Sequence, residues 1–379
     1  MLINYQNVFF RFAFVILDFK DKFKKQQRVL LKIDTLPPGR LYRAVPGGFT
    51  AGKEGAMEYI ITGATGHIGY TVTKLLAEAG EDVKILIRKD TPYLNFKGLK
   101  KGEGDVLDPD FLLKNISKGS TVIHCAGKIA LSNRQKREIF EVNYKGTLNV
   151  ADACEKNGSK LIYVSSTDAI ADKNSDIITE PHSLSVSGLK SAYSKSKCLA
   201  TMEIQKRAAK GLNACVVYPS AVIGPYDYKI SAVGSMLRDY LSGKLPARID
   251  GAYNFVDVRD VARGIISAAR SGAKGESYLL CGSVVTVDEL LDTVNLFENK
   301  KMPVKLPVWF VKLFAGFGTI YYAIRGQKAV FSRQAIKALS DNCNFCSDKA
   351  KVELGYNITP FQKTIEDTLA WLKSGREKN

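Results

Sequence analysis

The chain has 379 residues, 45% of them hydrophobic, and carries 55 Lys and Arg against 38 Asp and Glu, a formal net charge of +17. That length and apolar content exclude disorder of the whole and leave room for two or three domains. The positive balance could serve nucleic acid or an acidic lipid surface, but the cations are scattered among carboxylates with no long basic run, so an anionic cofactor or substrate is expected and no nucleic-acid partner.

Residues 1–56 differ in character from the rest. An apolar, aromatic start at 8–17 runs into a Lys-rich patch at 20–28, then Leu36-Pro37-Pro38-Gly39 and Pro46-Gly47-Gly48. The apolar run is too short to span a membrane, and no small-residue cleavage site marks a signal sequence. Natural translation is expected to start at Met57, because Lys53-Glu54-Gly55 can be encoded by a purine-rich ribosome-binding sequence.

From Met57 the pattern alternates strand and helix. A strand at 58–61 meets Gly63, Gly66 and Gly69, and a helix follows at 70–79. Such a turn aims backbone N–H groups and a positive helix end at one point, which suits a pyrophosphate. Further strands are expected at 82–87, 121–125, 160–165 and 213–218. Helices are expected around 111–116, 143–156 and 191–210. This alternation predicts an α/β, doubly wound parallel sheet of Rossmann type, with residues 57–220 as the nucleotide-binding domain and the sheet ending near residue 220. Beyond it, helices at 230–242, 258–271 and 287–297 and strands near 253–256 and 277–281 predict a smaller substrate-binding lobe, 221–379, built from discontinuous pieces. The apolar stretch 306–324 reads as a buried segment or pocket wall, with membrane contact the alternative. Amphipathic helices at 347–354 and 361–373 close the chain.

Seven cysteines, an odd number mostly inside apolar runs, point to reduced thiols in a cytoplasmic setting. Cys343 and Cys346 have C-x-x-C spacing, but no second pair completes a zinc site, and no metal is expected.

Tyr193 and Lys197 lie four residues apart, on one face of a helix. A phenol ionises near pH 10 in water, and a neighbouring ammonium is expected to lower that value and make the pair a tunable acid/base. Ser165, Ser166 and Thr167 end the preceding strand, and a hydroxyl from Thr167 or Ser166 could hold a substrate oxygen beside the phenol.

Together with TGATGHIG at 62–69, GDVLD at 104–108, HCAG at 124–127, NYKGTLN at 143–149 and YPSAVIGP at 218–225, these motifs resemble the extended short-chain dehydrogenase/reductases. That superfamily holds nucleotide-sugar epimerases and dehydratases, dihydroflavonol 4-reductases and 3β-hydroxysteroid dehydrogenases. The resemblance runs from residue 57 to 373 and is nearest the dihydroflavonol reductase and hydroxysteroid branch. It implies Thr167, Tyr193, Lys197 and Asn143 as catalytic. It implies a cofactor site of Gly63, Thr65, Gly66, His67, Ile68, Gly69, Arg88, Asp105, Val106, Cys125, Ala126, Gly127, Tyr193, Lys197, Pro219 and Val222. A homodimer through 143–156 and 191–210 is expected on the same ground.

The second strand ends Ile87-Arg88-Lys89, with no carboxylate before Asp90, which favours NADP(H) and leaves NAD(H) open should Arg88 only stack on adenine. Tyr218 and Ala221 stand where sugar-nucleotide enzymes of the superfamily carry Arg and Asn, which weakens an epimerase reading. Ala169 after Thr167-Asp168 weakens dehydration. The expected activity is hydride transfer between NADP(H) and the carbonyl/alcohol of a small, fairly apolar molecule. A nucleotide-sugar epimerase holding NAD and a non-enzymatic NADP sensor remain as alternatives.

Overall fold

The computed structural model describes residues 57–129, 135–173, 175–245, 247–308 and 341–375. The expectations for residues 1–56, and for the apolar stretch from 309 onward, lie outside them.

Seven parallel strands form the central sheet. They are β1 (Tyr59–Thr62), β2 (Val83–Ile87), β3 (Lys100–Glu103), β4 (Thr121–His124), β5 (Lys160–Val164), β6 (Ala214–Pro219) and β10 (Ser277–Leu280), in the spatial order β10-β6-β5-β4-β1-β2-β3. The near-continuous apolar runs of β1, β5 and β6 suit strands covered on both faces. Alternate residues of β1 divide between two cores. Tyr59 and Ile61 join the helices His67–Glu78 and Val258–Ser271, while Ile60 joins the helices Pro109–Asn115, Gly146–Asn157 and Ala192–Lys210.

Capping accounts for several helix starts. The Ser191 hydroxyl accepts from Ser194 N, Asp108 accepts from Asp110 N and Phe111 N ahead of Pro109, and Thr286 with Glu289 forms a reciprocal capping box.

A third core, with Ile223, Phe255, Leu291 and Trp371 among its members, is separate from these two and is built from residues after 220. Its strands β7 (Ala221–Ile223), β9 (Ala252–Asp257) and β11 (Ser283–Thr286) make a three-stranded sheet. A two-stranded parallel pair joins β8 (Ala247–Arg248) to β12 (Val304–Lys305).

Two expectations need correction, and one strand carries no sequence signal. The main sheet does not end near residue 220, because β10 pairs in parallel with β6, Ser277 opposite Val216. Strand β3, Lys-Lys-Gly-Glu, has no apolar alternation to announce it, since it is an edge strand in which only Gly102 is buried. The helix expected at 143–156 begins at Lys136 and is interrupted by a π-helical turn, Glu141–Lys145, before Gly146–Asn157.

Candidate functional site

In an open parallel sheet of this order, the crevice beyond the carboxyl ends of β1 and β4 is where a nucleotide sits, because the connections from the two strands part there. Gly63 opens the loop after β1 with φ +75°, and a Cβ on it would lie 2.5 Å from Ala126 N. A Cβ on Gly69 would lie 2.3 Å from Gly63 O, so the helix packs directly on the turn. A Cβ on Gly66 would meet Gly63 O at 3.3 Å and nothing closer. The helix begins at His67, three residues before its expected start, and Gly66 supplies no side-chain cap. Its first amides and the open face at Gly66 therefore form a cradle that fits a dinucleotide pyrophosphate.

The end of β4 forms the opposite wall. Cys125 N donates to Thr62 O, and Ala126 N to Thr62 Oγ1 at 3.4 Å. Thr62 Oγ1 in turn donates to His124 Nδ1 at 2.7 Å, and His124 Nε2 donates to Thr147 Oγ1 at 2.9 Å. The Thr147 proton is directed at Asn143 O, 2.7 Å away. This pattern assigns a neutral, Nε2-protonated His124, in keeping with burial and the Lys197 charge lowering its pKa to about 3. His124 thus links the first strand to the π-turn; the HCAG motif contained it, but only Cys125 to Gly127 were expected at the site.

Asn143 lies inside that π-turn and is fully buried. Its Oδ1 accepts from Lys128 N at 2.7 Å, and its Nδ2 donates to Lys128 O and to Ser196 Oγ, both at 3.0 Å. Ser196 Oγ donates onward to Tyr193 O. Single π-turns of this kind often re-aim a side chain at a working site.

Lys197 is buried, and its Nζ donates to Val164 O at 2.7 Å while lying 4.9 Å from the centre of the Tyr163 ring. Burial lowers its pKa to about 8, with Cys125 acting the other way. The expected depression of the Tyr193 phenol is not found: burial, then the Asp168 carboxylate, raise it above its ordinary value against a hydrogen bond with Ser166. The reason is geometric, since the Lys197 ammonium is directed at Val164 and Tyr163, and Asp168 is the charge that acts most on the phenol. Burial also raises the Cys125 thiol to about 12, which makes it inert lining.

Thr167 is buried at the start of a 3₁₀ turn, Thr167–Ala169, that packs on the helix carrying Tyr193. Ser165 Oγ is taken up by Thr201 Oγ1 at 2.7 Å, and Ser166 Oγ accepts from Asp168 N.

At the far end of the crevice Arg88 follows β2 and is exposed. The first carboxylate after it, Asp90, is held by Lys101 at 2.8 Å. Asp105 Oδ1 accepts from Leu107 N, and Val106 O accepts from Asn149 Nδ2, which fixes that turn against the helix Gly146–Asn157. Thr65 Oγ1 accepts from Lys229 Nζ at 2.7 Å, and His67 Nε2 donates to Pro225 O at 2.8 Å. Ile68 packs against the core. Pro219 ends β6, and Val222 in β7 pairs with Val256. Nothing in the sequence pattern marked Lys229, which lies in a loop with no motif.

Among the described residues no helix is long and apolar enough to cross a membrane and no cluster of metal-ligating side chains occurs. All seven cysteines are unpaired.

Comparison with known proteins identifies the family. Residues 59–281 match the model of the NAD dependent epimerase/dehydratase family. The chain is 25% identical over 328 residues to sterol demethylase protein B of Methylococcus capsulatus, covering 84% of this chain and 98% of that protein. It is 28% identical over 303 residues to 3beta-hydroxysteroid-dehydrogenase/decarboxylase isoform 2 of Arabidopsis thaliana, covering 72% of this chain and 53% of that protein. The crystal structure of gox2253 superposes with a TM-score of 0.73 at 30% identity, covering 85% of this chain and 99% of that one. The glycine cradle at the switch point and a family match over more than half its length lead to one conclusion: the chain belongs to the NAD dependent epimerase/dehydratase family, within the extended short-chain dehydrogenase/reductases.

Proposed function

We propose that the protein is an NADP(H)-dependent reductase or dehydrogenase acting on the carbonyl/alcohol pair of a small, fairly apolar molecule. One observation carries the reading: the end of β4, Asn143 and Lys197 converge, so that a Cβ on Gly127 would lie 3.4 Å from Asn143 Oδ1 and 3.5 Å from Lys197 Nζ. A nicotinamide bound in the crevice supplies or accepts the hydride. The protein's part is orientation and the proton. Tyr193, its phenol raised above the ordinary value, keeps its proton at neutral pH and donates it to the substrate oxygen in reduction. Lys197 supplies positive charge beside the proton path, and Asn143 fixes the Lys128 backbone next to it. Thr167 orients the substrate oxygen.

Support for NADP(H) comes from Arg88 at the end of β2 and from Asp90 being engaged by Lys101 rather than free to bind a ribose diol. Tyr218 is fully buried in the sheet core, which removes it as a contact for a substrate pyrophosphate. The sterol and hydroxysteroid names of the relatives support an apolar substrate. A substrate-binding role for the smaller lobe and a homodimer through the helices Gly146–Asn157 and Ala192–Lys210 belong to the same proposal.

The test is a panel of ketones and aldehydes with NADPH and with NADH, read by loss of nicotinamide absorbance. Oxidation of NADPH by at least one carbonyl compound is expected. NAD released only on denaturation, with no net oxidation of any cofactor, would sustain the epimerase alternative.

A further inference from the structure

The segment between β7 and the helix Ala232–Leu241 crosses the glycine loop and is pinned there. His67 Nε2 donates to Pro225 O at 2.8 Å, the Tyr228 ring stacks on Tyr93 with centroids 4.1 Å apart, and Lys229 Nζ donates to Thr65 Oγ1 at 2.7 Å. Tyr226 and Ile230 adopt positive φ, 73° and 38°, conformations that non-glycine residues hold only when their surroundings impose them. Lys229 is thereby held against Thr65 of the glycine loop, on the side of the crevice where an adenosine ribose lies in this fold. Burial, then the nearby Arg88 guanidinium, lowers its pKa, so the two like charges lie close enough to repel. Among the described residues neither has a carboxylate partner. A dianion between two such cations would relieve their repulsion and accept a hydrogen bond from Thr65 as well.

We propose that Lys229, reaching over from the smaller lobe, is a second ligand of the cofactor's 2′-phosphate beside Arg88, so that choosing NADP(H) over NAD(H) also fastens this segment over the glycine loop. The inference rests on the NADP(H) reading above, and ligand fragments separate the two. Affinities of the full chain for 2′,5′-ADP, 5′-AMP, NADPH and NADH are measured by calorimetry for the wild type, Lys229→Met and Lys229→Arg.

Lys229→Met is expected to weaken 2′,5′-ADP and NADPH about tenfold or more and to leave 5′-AMP and NADH within about twofold. Lys229→Arg should restore most of the loss. A wild type that prefers 2′,5′-ADP while Lys229→Met binds it equally well overturns the role of Lys229 and leaves the cofactor reading standing. Equal weakening of both fragments also overturns it, because the lysine would then serve the glycine loop or the shared 5′-phosphate. A wild type with no preference for 2′,5′-ADP overturns the cofactor reading and this proposal together.

Discussion

Asn143 grips the peptide backbone of Lys128 from both sides, its Oδ1 accepting from Lys128 N at 2.7 Å and its Nδ2 donating to Lys128 O at 3.0 Å. A side chain used in this way is a structural clamp on the backbone that follows β4. Asn143→Ala would leave both backbone groups and Ser196 Oγ without that partner, at a cost of about 1–3 kcal/mol. Urea unfolding should show the loss and steady-state assays a turnover reduced at least tenfold. A variant with wild-type unfolding midpoint and turnover would remove the clamp from the account.

Tyr193→Phe deletes one oxygen and leaves the ring in place. Turnover should fall by about 10²–10⁴-fold, the usual range for a lost general acid. NADPH affinity, followed by nicotinamide fluorescence, should stay within about twofold. Persisting turnover would show that another group delivers the proton.

The buried His124 predicts an acid limb in the stability profile. Its folded pKa is depressed to about 3, whereas an unfolded histidine titrates near 6.5. Between these values the unfolded chain binds the extra proton, so the contribution is complete above pH 6.5 and drains away as the pH falls towards 3. From neutrality to pH 5 the wild type should lose about 2 kcal/mol more than His124→Gln. Parallel profiles for the two proteins in denaturant titrations would contradict a neutral buried imidazole.

The three glycines should separate by experiment. Gly63→Ala forces a Cβ to 2.5 Å from Ala126 N at φ +75°, and a cost of about 2–4 kcal/mol follows from the left-handed backbone and the overlap. Gly66→Ala meets only Gly63 O at 3.3 Å, so the fold should tolerate it and cofactor affinity should drop about tenfold or more. Thermal melts of the apo proteins beside NADPH titrations distinguish the two. Equal melting loss in both variants would be inconsistent with the divided roles of these positions.

The elements that could be read from sequence are those whose burial repeats along the chain. Strands β1, β4, β5 and β6 show as apolar runs because both their faces are covered, and Tyr193 and Lys197 show because a helix fixes their spacing. Strand β3 escaped because an edge strand of Lys-Lys-Gly-Glu carries no apolar signature. The π-turn at Asn143 escaped for a different reason: one added residue per turn disturbs helical periodicity too little to register, although it decides where that side chain points. Lys229 was beyond local reading altogether, as its contact with Thr65 spans 164 positions of sequence. The electrostatics of Tyr193 went astray because spacing shows that a lysine is near, not which oxygen its ammonium meets.

Strand β10 carries a consequence for synthesis on the ribosome. The nucleotide-binding sheet is complete only when Ser277–Leu280 has emerged and paired with β6, long after the glycine loop and Tyr193 have been made. Until then β6 presents an open hydrogen-bonding edge to any neighbouring nascent chain. A truncation ending before residue 277 should therefore aggregate on expression even though it holds every proposed proton-transfer residue.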